Sequence, residues 1–157
     1  MKTLRLLAAA MVGTGSVPLA AGHDFHVGGI GVDAARAAPS SAGQLEDPAF
    51  LTITNKGKGD LLVGATCKVA ASVQLRAAIP APEGLQERAV EAIPVPADST
   101  LELKRQGYHL AFISLNYSFV PGERIAATLR FASGAELPVE FQVQEESAVD
   151  RTAAQSQ

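Results

Sequence analysis

The feature that most constrains this chain is a two-residue alternation of apolar and polar side chains recurring from about residue 25 to 143. In Leu137-Pro138-Val139-Glu140-Phe141-Gln142-Val143 the aliphatic and aromatic residues all fall on odd positions. Successive side chains of a strand point to opposite faces, so this pattern builds one buried face and one wet face. Ile125, Ala127, Leu129 and Phe131 repeat it, Leu101 and Leu103 alternate with Glu102 and Lys104, and Val73 and Leu75 alternate with Gln74 and Arg76. Ala49 to Thr54, Asp60 to Thr66 and Tyr108 to Leu115 are further strands. The intervals carry turn chemistry in Asn55-Lys56-Gly57-Lys58-Gly59, Pro121-Gly122 and Ser133-Gly134, where glycine supplies positive φ. Pro94 and Pro96 demote one run to an edge or a loop. Ala81 to Ala89 holds at most one helical turn, because Pro80, Pro82 and Gly84 oppose more. Strands at this spacing predict an all-β fold, a single antiparallel β-sandwich.

The two ends stand apart from this pattern. Residues 1–22 read as a signal peptide: Lys2 and Arg5 are basic, Leu6 to Ala20 is mostly apolar but interrupted by Gly13, Gly15 and Pro18, and Ala20-Ala21-Gly22 suits cleavage before His23. No cysteine closes the apolar stretch, so the expectation is a cleaved signal without a lipid anchor, and export to a periplasm. Residues 23–143 form one domain. The tail 144–157 is polar and aperiodic, and disorder is expected there.

Composition excludes several function classes. The charge is −3 with no Lys/Arg cluster, which argues against nucleic acid as a partner. Lys2 and Arg5 leave with the signal segment, so 11 basic residues then face 16 acidic ones, a charge of −5. Met1 and Met11 leave too, and they are the only methionines, so the mature chain has no thioether. The single Cys67 permits no internal disulfide. It reads as a small buried hydrophobe by default, with pairing between chains or copper binding as alternatives. No GxSxG or phosphate-binding glycine loop is present, and the acidic pair Glu145-Glu146 lies in the polar tail. An enzyme is not expected.

The order of segments resembles the periplasmic copper chaperones of the PCu(A)C family over residues 23 to 143. The matching pieces are His23-Asp24-Phe25 with Gly28, Ala35-Arg36-Ala37, Leu51-Thr52-Ile53-Thr54-Asn55-Lys56-Gly57 followed by Asp60-Leu61-Leu62-Val63-Gly64-Ala65, Leu101-Glu102-Leu103-Lys104, and Gly107-Tyr108-His109-Leu110. Ala34 stands where that family usually has Trp. The resemblance implies a cupredoxin-like β-sandwich, a Cu(I) cargo, no enzymatic activity, and partners among copper-centre assembly proteins or an oxidase subunit.

The family's ligand pattern is a His, a Met eleven positions later, and a His-x-Met beginning twenty-two positions after that. Carried onto this chain, the positions are Arg76, Glu87, His109 and Ala111. The spacing is intact and the donors are not. A guanidinium stays protonated and binds no metal, alanine has no donor atom, and a carboxylate is a hard ligand for Cu(I). The metal candidates are therefore His109 and Glu87 alone, and the usual Cu(I) site is largely lost. Opposite charges at Arg76 and Glu87 suggest an ion pair in place of the metal.

The N-terminus offers a second metal candidate. Cleavage before His23 would leave an α-amine and an imidazole on one residue, with His26 nearby, and nitrogen donors suit Cu(II) better than Cu(I). Two functions follow. One is copper binding and delivery toward respiratory oxidase assembly, implied by the resemblance. The other is a metal-free binding or interaction module on the same scaffold.

Overall fold

The computed structural model describes residues 25–41 and 44–145. The signal segment, His23 and residues 146–157 of the tail lie outside the described residues. Eleven strands carry the chain: β1 (Phe25–Val27), β2 (Ile30–Ala37), β3 (Glu46–Asn55), β4 (Asp60–Cys67), β5 (Ala70–Ala81), β6 (Gly84–Val90), β7 (Ile93–Val95), β8 (Ser99–Leu103), β9 (Tyr108–Leu115), β10 (Arg124–Phe131) and β11 (Glu136–Val143). No helix occurs among the described residues, in keeping with the all-β reading.

The strands form one sheet in the order β1-β2-β11-β10-β4-β5-β9-β3-β8. An additional ladder between β2 and β3 closes it on itself, so the architecture is barrel-like, with β1, β6, β7 and β8 as flaps on the ring. Closure removes the exposed edges that an open sheet leaves. One pair, β11 with β2 through Gln142↔Arg36 and Val143↔Ala37, is parallel and departs from the antiparallel expectation. Gln144 continues that contact by donating its amide to the Ala37 carbonyl.

Alternation fixes which side chains fill the ring. In β11, Leu137, Val139, Phe141 and Val143 are buried and their even-numbered neighbours are exposed. The core is completed by Leu51, Ile53, Leu62, Leu103, Leu110 and Phe112. Phe112 meets Phe119 and Phe141 edge-on, with centroids 5.7 and 5.5 Å away. Such pairs contribute about 0.5–1.5 kcal/mol beyond their buried area.

One segment corrects the sequence reading. Ala81 to Ala89 contains no helical turn: Ala81 pairs with Gly84 across the two-residue loop Pro82-Glu83, and β6 runs back along β5. Gly84 takes a φ of +113°, which a residue with a Cβ rarely adopts. Prolines that oppose a helix are compatible with this hairpin, and Pro80 and Leu85 face each other beyond the end of the β9 ladder. Pro138 sits inside β11 opposite Thr128, at a point where the β2 ladder has not begun, so its missing N–H costs no second pairing.

The turn Asn55 to Gly59 is pinned from within. Asn55 is 1% exposed, and its amide nitrogen donates to the carbonyls of Lys58 (2.8 Å), Val95 (3.2 Å) and Pro96 (3.1 Å). Its side-chain oxygen accepts from the Gly57 amide at 2.9 Å. The side chain thereby ties the β3–β4 turn to β7.

Candidate functional site

Strand register brings three of the four motif positions together on the outer face of β5, β6 and β9. Arg76 lies directly opposite His109 in the β5–β9 ladder. Glu87 lies opposite Ala78 on β6, and Ala89 lies opposite Arg76. Ala111, two residues along β9 and on the same face as His109, is fully buried between Gln74 and Pro48. Side chains that alternate along a strand place positions two apart on one face, and this turns a sequence spacing into a cluster.

His109 is the centre of the cluster and only 2% exposed. Its Nδ1 lies 3.3 Å from the Gly107 carbonyl oxygen. Its Nε2 lies 3.7 Å from Oε1 of Glu87, longer than a hydrogen bond. A neutral ring that donates from Nδ1 leaves Nε2 as an acceptor, a tautomer assigned from its neighbours. Burial pushes the imidazole pKa below its usual value, against the Gly107 carbonyl and the Glu87 carboxylate, which raise it; Arg105 and Arg76 lower it further.

The ion pair expected between Arg76 and Glu87 is not formed. Arg76 Nη2 instead donates to Glu46 Oε2 of β3 at 2.9 Å, while Glu87 turns to His109. Glu87 is offset from Arg76 by two residues along the hairpin, and the Arg76 side chain instead reaches past β9 to Glu46, which lies opposite Ile113. The Arg76 side chain is 19% exposed and its Nε is buried without a hydrogen-bond partner. A pair so exposed on the Glu46 side contributes only about 0–1 kcal/mol.

An aromatic residue underlies the cluster. Phe50 is buried on the outer face of β3, out of phase with Ala49, Leu51 and Ile53. The guanidinium carbons of Arg36 and Arg105 lie 5.2 and 5.7 Å from its ring centroid, and the His109 ring lies 6.2 Å away. Glu46, Phe50, Arg36 and Arg105 were not singled out by motif spacing. The one signal available was Phe50 itself, an aromatic side chain on the face that alternation assigns to solvent.

The remaining candidates lie elsewhere. His26 is exposed on β1 opposite Gly31, against which its ring packs so closely that a Cβ on Gly31 would fall 2.6 Å from it. Cys67 is a free, half-buried thiol opposite Ala127, at the rim of a groove of about 710 Å³ that Phe25, Arg124 and Pro138 also line. Among the described residues, no three His, Cys, Asp or Glu side chains are grouped so as to hold a metal ion. Among them, too, no helix is long and apolar enough to cross a membrane.

The family model described as "Putative lipoprotein LpqE-like" matches residues 30–143. The chain belongs to this LpqE-like family, which is of the PCuAC type. A curated relative from Leifsonia xyli subsp. xyli, "Putative lipoprotein Lxx21020", is 35% identical over 118 residues, 73% of this chain and 70% of the relative. Among solved structures, the copper-bound PCuAC domain from PmoF2 superposes with a TM-score of 0.69 at 20% identity, covering 79% of this chain and 99% of that domain. The solution structure of CuI-DR1885 from Deinococcus radiodurans superposes at 0.59 with 29% identity, covering 71% and 76%. The first likeness concerns the fold, and copper is bound by those two proteins. The family resemblance read from the sequence is thus upheld, and the chain is copper-chaperone-like in family. The LpqE-like relatives are described as lipoproteins, whereas the one cysteine of this sequence is Cys67, within β4.

The donor set does not fit Cu(I). Soft thioether or thiolate ligands favour that ion, and the motif positions of this LpqE-like chain offer one deeply buried imidazole, one carboxylate, one guanidinium and one methyl group.

Proposed function

We propose that this chain is an exported, non-catalytic binding module that keeps the copper-chaperone scaffold and holds no metal ion, Cu(I) included, at the family's position. The observation that carries the reading is the cross-strand pairing of Arg76 with His109. It puts a permanent cation, held by Glu46 at 2.9 Å, beside the one imidazole of the motif. Export is supported by the basic and apolar residues 1–22 and by the lipoprotein description of the relatives. The periplasm is the compartment this reading assigns. The test is a titration of the mature protein with Cu(I) and with Cu(II), each against a competing chelator. No Cu(I) uptake is expected. Tight Cu(I) binding would overturn the reading and direct attention to Cys67.

A second reading keeps copper as cargo, in the Cu(II) state, and has it handed toward oxidase assembly partners. It is favoured by the exposed imidazole of His26 on β1, close in sequence to His23. Cu(II) binding that disappears in the His23→Ala/His26→Ala double variant would support it.

A further inference from the structure

We infer that Arg76 is the specificity-determining residue of the outer cluster, a tethered cation that keeps metal ions away from the His109–Glu87 pair. The inference rests on the metal-free reading above and assigns that property to one side chain.

Without Arg76 the surroundings are those of a partial metal site. His109 Nε2 faces the Glu87 carboxylate, with Oε1 3.7 Å away. A nitrogen and a carboxylate oxygen at this spacing are a borderline-to-hard donor pair, suited to Zn(II) or Cu(II). The space between them is bordered by position 76, directly across from His109. Directly opposed cross-strand residues hold their Cβ atoms about 5 Å apart. Beyond burial, the Arg76 charge bears on His109, lowering the imidazole pKa together with Arg105, and a cation beside a partly buried face repels a divalent ion. The side chain is held in one place, because Glu46, opposite Ile113 on β9, binds Nη2 at 2.9 Å and the side chain is only 19% exposed. Glu46 neutralises part of the charge without removing the bulk. The same geometry states what would open the site: a neutral donor at position 76 would add a third ligand to the imidazole and carboxylate already in place.

The test uses the full mature chain carrying His23→Ala and His26→Ala. His109 is then the sole histidine, and its ring resonances report on this site alone. Zn(II) and Cu(II) are titrated into this background and into Arg76→Ala, Arg76→His and Arg76→Lys, with thermal unfolding as the check on folding. The background protein and Arg76→Lys are expected to leave the His109 resonances unmoved. Arg76→Ala is expected to gain at least about 10-fold in Zn(II) affinity, and Arg76→His about 100-fold or more. Adding His109→Ala should erase both gains. If the background protein itself binds at His109, the metal-free reading falls and this inference with it. If the background is silent and folded Arg76→Ala and Arg76→His are silent too, Arg76 is not the determinant and the metal-free reading stands. A gain in Arg76→Lys equal to that in Arg76→Ala would also overturn the inference, since the charge would then not be what excludes the ion.

Discussion

Asn55 and His109 are both polar, both nearly inaccessible, and placed on neighbouring parts of one sheet, yet their surroundings differ. Asn55 meets three carbonyls and one amide at 2.8–3.2 Å. His109 has one contact of 3.3 Å, one approach of 3.7 Å, and beside it an Arg76 Nε with no acceptor. Buried polar groups are ordinarily satisfied, and the exceptions mark places where something other than stability shaped the residue. The first site reads as a fastening between β3, β4 and β7. The second, on the function proposed above, is the altered remnant of a binding position.

This contrast can be sharpened by mutation. Asn55→Ala should be the most damaging of these changes, because three carbonyls and one amide lose their partner. A loss of about 2–3 kcal/mol is expected in urea unfolding, with an unchanged m-value. A loss under 0.5 kcal/mol would show that the turn does not depend on the side chain. His109→Phe should shift stability by less than about 1 kcal/mol in either direction. It removes a poorly satisfied imidazole and leaves a ring to pack against Phe50. A cost as large as that of Asn55→Ala would break the comparison.

The two sites should also differ in acid. Folding lowers the His109 pKa below 6.5, chiefly through burial. The unfolded chain then takes up a proton at a pH where the folded one does not, and stability declines as pH drops below about 6.5. His109→Phe should flatten that decline, and chemical unfolding between pH 7 and 5 measures it. Asp60 makes a smaller and later contribution. Slight burial raises its pKa, but the Ser133 hydroxyl and the amides of Leu61 and Ser133 lower it to a net value below 3.8. Its stabilisation is therefore present above about pH 3.8 and lost as pH falls further. Asp60→Asn should flatten only that acidic limb. The smallest effect belongs to Glu46→Gln, which weakens the bond to Arg76 by about 0–1 kcal/mol. A larger cost would mean that the cluster, like Asn55, is structural.

Much of the barrel was legible because burial on one face of a strand imposes a period of two. β9 spans the residues that alternation assigned, β4, β10 and β11 extend theirs by one residue each, and β3 extends its own by four. The β5–β6 hairpin was not legible, since Pro80, Pro82 and Gly84 interrupt the pattern and the exposed β6 has no apolar face to announce it. At the site, spacing pointed to Arg76, Glu87, His109 and Ala111, and the strands bring the first three together on one face. It did not pair them correctly, because side chains choose partners by register across strands far apart in sequence. Glu46 lies 30 residues from Arg76 and no local pattern links them.

By itself the sequence determined the all-β class, the buried odd-numbered faces, the turns at Asn55, Pro121 and Ser133, and the absence of thioether donors after residue 22. These follow from local chemistry: side-chain alternation, glycine at positive φ, and which atoms can bind a soft metal. Only the tertiary structure decided that β2 and β3 close the sheet, that Phe50 turns outward beneath Arg36 and Arg105, and that Arg76 answers to Glu46. Those outcomes depend on long-range register, which is set when whole faces pack together, and no window of neighbouring residues contains it.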